Sequence, residues 1–170
     1  MNLFINTTTA KVEIFYFTKD YQKLYTKLSQ NNHTLILYQL FEELLQAEDI
    51  TMQQLQKIYI INGPGSYTGT RVGVVFAKTI AHQLQLPIYP LGLLDTLYLT
   101  NNKKACVDAR GGKYFCYDGQ EYQLLLKEEA LKQNYELEQN INYDILLSIL
   151  KYLIPCEVKK VKINYMKEAI

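Results

Sequence analysis

The chain opens with apolar runs of strand length that are separated by short polar stretches. The first three runs predict strands, and the polar breaks Asn6-Thr7-Thr8-Thr9 and Thr18-Lys19-Asp20 favour an antiparallel meander. Compact apolar runs further along the chain predict more strands. The predicted strands lie at 2–5, 12–17, 21–28, 57–61, 87–89, 105–107, 113–118, 121–126 and 158–163.

Helical signals separate these strands. A first helix is predicted from the polar residues 31–34 to about Ala47, and Thr51 is expected to cap a short turn after it. This order of strands and helices predicts an α/β fold with a sheet of mixed direction. The polar stretch 101–104 favours a boundary, so we expect a first lobe over 1–100 and a smaller second lobe over 101–170. The other predicted helices lie at 70–85, 91–99 and 144–153.

Two of the predicted helices carry more apolar surface than one buried face requires. The apolar residues of the helix ending at Ala47 cover an arc of roughly 200°, whereas one buried face needs about 100°. In the helix 70–85, Gly73, Ala77 and Ala81 recur every four residues and allow a neighbouring helix to approach closely. Such helices are buried on more than one side, either by the sheet and loops of their own lobe or by a partner protein.

A glycine-rich turn lies between the predicted strand at 57–61 and the helix 70–85. Two interpretations of it remain open. Ser66 or Thr68 caps a tight strand-to-helix turn, or the turn and the helix N-terminus hold a phosphate group through free backbone N–H groups. The turn lacks the Gly-Lys-Ser/Thr ending of a Walker motif. The candidate residues of a nucleotide loop are Gly63, Gly65, Ser66, Thr68 and Gly69.

The composition is that of a globular protein without a strong net charge. With 48% hydrophobic and 21% charged residues we expect a packed core, and the formal net charge of +1 argues against strong sequence-independent attraction to nucleic acid or membrane. No apolar run approaches about 18 residues, so we expect a cytosolic protein without a membrane segment. The cysteines Cys106, Cys116 and Cys156 lack zinc or redox spacing and are expected to be buried thiols.

Only two arginines, Arg71 and Arg110, occur beside sixteen lysines. Because a planar guanidinium makes bidentate contacts that an ammonium group cannot copy, both are candidates for a role that Lys could not fill. A local ion pair between Asp108 and Arg110 is expected before any catalytic role. The one basic cluster is interpreted as a solvated edge, with a modest RNA contact as the alternative. Its members are Lys159, Lys160, Lys162 and Lys167.

The sequence shows no spacing of residues that is typical of a catalytic or metal site. Metal-binding histidines one helical turn apart are not found, because His33 has Leu37 four residues on and His82 lies on another helix. Neither a Ser–His–Asp nor a Cys–His arrangement is suggested by the spacing. The sequence therefore predicts no catalytic residue and no metal site.

Several motifs carry a resemblance to a known family. Residues 63–73, followed by Ala77 and Lys78, are similar to the signature G-P-G-S-[FY]-T-G-x-R-x-G…A-[KQ] of the TsaB (YeaZ) family. Residues 3–9 resemble its first strand, with Asn6 in place of the usual Asp. Residues 107–114 resemble its I-D-A-R-x-G-[EK]-V-[YF] segment, and residues 161–167 are a weak match to its C-terminal P-x-Y-L-R region.

The resemblance implies a two-lobed actin-like ATPase-domain fold (ASKHA, ribonuclease H-like) with a shortened second lobe. It implies a noncatalytic subunit, a pseudoenzyme in a heterodimer with TsaD, which transfers threonylcarbamoyl to N6 of the adenosine beside the anticodon of ANN-decoding tRNAs. The ATPase TsaE and tRNA are then partners through the complex. ATP or ADP at the partner interface and a homodimer of the isolated chain stay open. Asn6 weakens any nucleotide role, because phosphate-linked magnesium sites favour a carboxylate there.

In that family the two apolar helices pack against their counterparts in TsaD. One rival reading is an actin-like nucleotide-binding phosphotransferase or a peptidase-like enzyme, which needs a carboxylate or a histidine pair that the sequence does not show. A free-standing RNA-binding module is disfavoured by the near-neutral charge. The predicted partner-binding residues are His33, Ile36, Leu37, Leu40, Phe41, Leu44, Arg71, Gly73, Val74, Ala77, Lys78 and Ala81.

Overall fold

A computed structural model describes residues 1–29, 32–137 and 139–166 of the chain. The residues divide into two compact units. The first contains Met1–Asn62, Ser66–Leu91 and Ile154–Ile163, and the second contains Gly63–Gly65, Gly92–Leu153 and the segment that starts at Asn164. The predicted boundary after residue 100 therefore falls inside the second unit.

The first unit is built on a five-stranded mixed sheet in the order β3-β2-β1-β4-β5. The antiparallel pairs β1–β2 and β2–β3 form the predicted meander, and the parallel pairs β1–β4 and β4–β5 complete the sheet. The prediction of a sheet of mixed direction is confirmed. The strands are β1 Asn2–Asn6, β2 Lys11–Phe17, β3 Gln22–Leu28, β4 Lys57–Ile61 and β5 Ile88–Leu91.

Two helices, α1 His33–Ala47 and α2 Tyr67–Gln83, pack on one face of this sheet. The side chain of Asn32 accepts from the Leu35 N–H and caps α1, and a short 3-10 turn follows Thr51 as predicted. Asn31, where the helical signals were expected to begin, lies outside the described residues. Alternate residues of the strands form the core with the inner sides of both helices. This core includes Leu3, Ile5, Ile14, Ile58, Ile60, Leu37, Leu40, Leu44, Val74, Ala77 and Ala81.

The second unit contains a three-stranded antiparallel sheet in the order β6-β7-β8. One small core lies around Cys106, Cys116, Ala130 and Tyr135. The elements are α3 Leu93–Asn101, β6 Ala105–Arg110, β7 Lys113–Tyr117, β8 Tyr122–Leu126, α4 Lys127–Lys132 and α5 Tyr143–Leu150. No helix within the described parts of the chain is both long and apolar enough to cross a membrane.

The strand predicted at 158–163 is wrong. A 3-10 turn, Val158–Lys160, begins this segment, and no strand follows it before the description ends at residue 166. Side chains take up carbonyl groups that a sheet partner would need. Lys78 Nζ donates to the carbonyl of Val161 at 3.2 Å, and Asn62 Nδ2 donates to the carbonyl of Lys162 at 2.9 Å.

The expectation of three buried thiols is wrong, because Cys106 and Cys116 are joined and Cys156 is a thiol that is only half-buried. Cys106 and Cys116 lie directly opposite each other on β6 and β7, with their Cα atoms 4.3 Å apart, and they form a buried disulfide. This spacing is typical of closely approaching cross-strand pairs, which the sequence cannot show before the hairpin register is known. Cys156 is a half-buried free thiol.

Candidate functional site

The glycine-rich turn ends in a fully capped helix. Ser66 Oγ accepts from the N–H of Gly69 at 3.2 Å, and both the N–H and the hydroxyl of Thr70 donate to the Ser66 carbonyl. The N–H of Ser66 itself donates to the carbonyl of Thr8 at 2.6 Å. These bonds fit the first interpretation, in which Ser66 caps a tight turn. Thr68 is exposed and is not the cap.

Gly69 and Gly73 let α2 approach the loop after β1. A Cβ at Gly69 would overlap the carbonyl oxygen of Thr7 and lie 2.9 Å from the His33 ring. A Cβ at Gly73 would overlap the Thr7 hydroxyl, which donates to the Gly69 carbonyl at 2.7 Å. Gly69 and Gly73 are therefore explained by close packing.

The remaining residues of the candidate nucleotide loop form the turn itself. Gly63 has a φ of 117°, a conformation that favours glycine, and a cis peptide bond joins it to Pro64. Its carbonyl accepts from the N–H of Leu93 at 2.7 Å. Gly65 follows as a half-buried residue of the same turn.

A buried polar pair occupies the end of β1. Asn6 lies opposite Glu13 in the strand register, and its Nδ2 donates to Glu13 Oε2 at 2.8 Å. Asn6 Oδ1 accepts from the N–H and the hydroxyl of Thr8 at 3.1 and 2.7 Å. The carboxylate that position 6 lacks is thus present on the neighbouring strand. Sequence reasoning missed Glu13, whose signal was a charged residue inside an apolar strand run.

His33 holds loops together from the start of α1. Its Nε2 lies 3.1 Å from the carbonyl of Thr9, and its Nδ1 lies 3.2 Å from Ser29 Oγ. Because a carbonyl only accepts, Nε2 is the donor of the bond to Thr9. His33 is buried in this chain, and whether it contacts a partner stays a prediction. Over the described ranges no group of three or more His, Cys, Asp and Glu side chains could hold a metal ion.

Most of the residues predicted to bind a partner are covered by this chain itself. Arg71 is exposed, and Ile36 and Lys78 are half-buried. The other residues besides His33 lie in or beside the core of the first unit. Whether any of them contacts a partner stays a prediction, but in this fold they pack α1 and α2 on the sheet. They are Leu37, Leu40, Phe41, Leu44, Gly73, Val74, Ala77 and Ala81.

Both helices nevertheless present apolar side chains outward. The rings of Phe41 and Phe76 meet edge to face with centroids 5.2 Å apart, which brings the two helices together. Tyr38 lies three residues before Phe41, and Val72 lies four before Phe76, so both follow the same sides of their helices. We call this region the helix-pair surface. It comprises Leu35, Tyr38 and Val75, which are exposed, and Val72 and Phe76, which are half-buried.

Polar groups border the helix-pair surface. A hydrogen bond to Glu42 raises the pKa of the Tyr38 hydroxyl. The guanidinium of Arg71 lies 3.9 Å from the centroid of the Tyr67 ring, a cation–π contact at the start of α2. Sequence reasoning missed Leu35, Val72, Val75 and Phe76, because the apolar arc of each helix was too wide to show which side faces the sheet.

Comparison with known protein families identifies the family of this chain. The family model described as TsaD, tRNA N6-adenosine threonylcarbamoyltransferase, matches residues 19–145, which is more than half of the chain. Curated relatives of the matched sequence are TsaB proteins. The chain belongs to this family, and within it to the TsaB (YeaZ) proteins.

The TsaB relatives match parts of the chain. The tRNA threonylcarbamoyladenosine biosynthesis protein TsaB of Bacillus subtilis is 41% identical over 73 residues, 43% of this chain and 32% of that protein. The Haemophilus influenzae TsaB is 27% identical over 115 residues, 64% of this chain and 49% of that protein. The matched stretches thus span less than half the length of these two relatives.

Solved structures show the fold. A Pseudomonas aeruginosa protein described as similar to peptidase YeaZ aligns with a TM-score of 0.81 and 16% identity, over 98% of this chain and 99% of that one. YeaZ from Pseudomonas aeruginosa aligns with a TM-score of 0.76 and 16% identity, over 96% and 98%. The fold is therefore the actin-like, ribonuclease H-like α/β fold of the TsaB (YeaZ) family, as predicted.

The family match covers the two helices, the glycine turn and the segment 107–114, but it starts after the β1 motif. The weak resemblance at 161–167 lies beyond it. Lys167, the last residue of that resemblance and of the basic cluster, lies outside the described residues. The ion pairs of Lys159 and Lys160 with Glu157 fit the interpretation of a solvated edge.

Proposed function

We propose that this chain is a noncatalytic subunit that binds a TsaD-type threonylcarbamoyltransferase and supports its modification of ANN-decoding tRNAs. The observation that carries the proposal is the helix-pair surface, an exposed apolar area on a chain of the TsaB family. The TsaB relatives are named for biosynthesis of threonylcarbamoyladenosine in tRNA, which supplies the reaction.

The helix-pair surface has the make-up of a protein interface. Val75 is 62% exposed and Tyr38 53% exposed, although each lies on a helix whose inner side is already buried. Burying a large apolar side chain completely contributes about 1.5–3 kcal/mol, so a few such residues provide a sizeable association energy. Tyr38 and Arg71 are of the residue types that dominate binding energies in interfaces.

The noncatalytic part of the proposal is supported by what the candidate groups already do. His33 is engaged with Thr9 and Ser29, and Leu37 occupies the position one turn later. Ser66 Oγ accepts a helix N–H, while Ser148 Oγ donates to the carbonyl of Ile145 at 2.7 Å. These contacts leave neither Ser66 nor Ser148 bonded to a histidine, as the activated serine of a peptidase-like enzyme would be.

The wider complex follows from the same proposal. TsaE and tRNA join through the assembled pair, ATP or ADP belongs at the partner interface if it binds at all, and the work takes place in the cytoplasm. For the isolated chain a homodimer through the helix-pair surface stays open, because a second copy could cover the same apolar side chains.

The test is size-exclusion chromatography with light scattering on this chain, alone and mixed with the TsaD of the same cell. Val75→Arg should weaken the mixed complex by at least about 30-fold, the effect of losing about 2 kcal/mol at an interface. Leu99→Arg, on α3, is the matched control because Leu99 is 55% exposed. Ala77→Arg is unsuitable, since Ala77 is fully buried and the change would unfold the chain.

Circular dichroism establishes that both variants are folded. A complex that survives Val75→Arg would move the interface elsewhere, and the absence of any complex between the wild-type chains at micromolar concentration would refute the subunit role.

A further inference from the structure

A bulge at the hairpin between β6 and β7 sets which side chain faces Lys113. The strands pair Asp108 with Tyr114, and the register then shifts so that Arg110, and not Ala109, lies opposite Lys113. Opposite residues of an antiparallel pair share one face of the sheet, where two like charges weaken the pairing. The extra residue therefore brings two cations together at a place where a regular hairpin would have an alanine.

The backbone conformation of Arg110 is also unfavourable for a residue with a side chain. Its φ of 67° lies in the left-handed region, which residues with a side chain rarely adopt. The expected ion pair with Asp108 does not form. Asp108 Oδ1 instead accepts from the backbone N–H of Arg110 at 2.7 Å. Strained backbone of this kind is concentrated at functional sites.

Three exposed basic residues belong to this hairpin or are bonded to its turn. Arg110 and Lys113 flank the turn, and the backbone N–H of Lys127 donates to the carbonyl of Gly112 at 3.2 Å, which places the backbone of Lys127 beside the turn. Within the described ranges, no ion pair, side-chain hydrogen bond or ring contact engages the charged ends of these three side chains. The carboxylate of Glu129 is already engaged, since its Oε2 accepts from the N–H of Leu126 at 2.9 Å.

The tip of the hairpin is bare backbone. Gly111 and Gly112 form the two-residue turn with φ values of 64° and 76°. A Cβ built on either glycine would meet nothing within 4 Å. The tip is therefore open to close approach by another molecule, between an arginine on one side and a lysine on the other.

We propose that this hairpin tip, with Arg110 as its principal contact, binds the phosphate backbone of the tRNA in the assembled complex; this inference rests on the proposed function. The guanidinium can donate two hydrogen bonds to one phosphate group, and Lys113 and Lys127 supply point charges beside it. The chain's near-zero net charge leaves such a local cluster as its means of contacting RNA.

An RNA backbone fits the tip better than an acidic protein segment does. Protein interfaces centre on buried aromatic or aliphatic residues, whereas among the described residues that pair with Arg110 and Lys113 at this tip only Leu126 is apolar and exposed. Phosphate contacts, in contrast, need donors and positive charge without an apolar centre. The bare glycines allow the sugar–phosphate chain to come close to the turn.

The experiment measures binding of an unmodified ANN-decoding tRNA transcript to the complex with TsaD over a range of salt concentrations. Arg110→Ala should weaken binding about 3- to 10-fold and lower the slope of log K against log salt by about 0.8, the loss of one phosphate contact. Arg110→Lys should keep the slope and lose part of the affinity. Lys132→Ala removes the same charge from an exposed site on α4 and should change binding less than about 1.5-fold.

Light scattering and ATP binding on the same samples separate the outcomes. An assembled Arg110→Ala complex with unchanged tRNA affinity and slope overturns this inference and leaves the proposed function intact. If Arg110→Ala abolishes assembly with TsaD, the tip binds a protein and this inference is overturned. If Arg110→Ala abolishes ATP binding and leaves tRNA binding unchanged, the tip binds a nucleotide and this inference is also overturned. Wild-type chains that do not assemble refute the proposed function and this inference with it.

Discussion

The glycine residues of α2 and those of the β6–β7 hairpin serve opposite purposes. At Gly69 and Gly73 an added Cβ would collide with Thr7, so glycine is required because the helix touches another segment. At Gly111 an added Cβ would meet empty space, and glycine is required only for the sign of φ. Crowded glycines mark a place where the chain packs on itself, whereas open ones mark a conformation that is kept for something outside the chain.

The largest change in stability is expected from adding a side chain at a crowded glycine of α2. Gly69→Ala should lower the free energy of unfolding by about 3 kcal/mol, because the new methyl group meets the Thr7 carbonyl, a backbone atom that cannot rotate away. Urea denaturation followed by circular dichroism measures the change. A loss below about 1 kcal/mol would contradict the close approach of α2 to this loop.

The polar pair beside that loop should respond almost as strongly. Asn6→Asp replaces the Nδ2 donor by a carboxylate that faces Glu13 in a buried site, and we expect a loss of about 2–3 kcal/mol at neutral pH. Glu13→Gln in the same chain should recover most of it, since an amide can donate to the new carboxylate. If the double variant is no more stable than Asn6→Asp alone, the contact between positions 6 and 13 is not the cause of the stability loss.

A smaller effect is expected at the open glycine. Gly111→Ala should destabilise the chain by about 1 kcal/mol, the cost of a left-handed backbone for a residue with a side chain. The same urea titration applies. A loss as large as that of Gly69→Ala would mean that the tip is packed and would remove the contrast between the two regions.

The smallest expected change is a gain in stability. Arg110→Gly should raise the free energy of unfolding by about 0.5–1 kcal/mol, because glycine adopts a φ of 67° freely and the like charge opposite Lys113 is removed. Thermal unfolding measures this gain. A destabilised Arg110→Gly would show that the arginine side chain has a structural role in this fold.

The helices and strands were predictable where periodicity is strong. The strand at 57–61 was predicted with its observed bounds, and α1 and α2 were located to within a few residues, because their apolar residues recur at helical spacing. The same periodicity could not decide which side of a wide apolar arc faces the sheet. Val75 is exposed and Ala77 buried, and only the packing of α2 against β1 and β4 separates them.

The missed features depend on contacts between distant segments. The Cys106–Cys116 disulfide requires the hairpin register, and the bulge at Arg110 is part of that register. The segment after Val158 is apolar enough for a strand, but Lys78 and Asn62 use its carbonyl groups. Glu13 is buried only because Asn6 lies opposite. None of these is encoded in a local pattern of residue types.

The hydrogen bonds of His33 to Thr9 and Ser29 have a consequence for the order of folding. The meander β1–β2–β3 joins segments that are close in sequence, whereas the parallel pairing of β1 with β4 joins Asn2 to Lys57 and requires a long loop to close. His33 binds the carbonyl of Thr9 and the hydroxyl of Ser29, one on each side of that meander. We therefore expect the start of α1 to be placed only after the hairpins exist, and α2 to dock later, with Gly69 against the His33 ring.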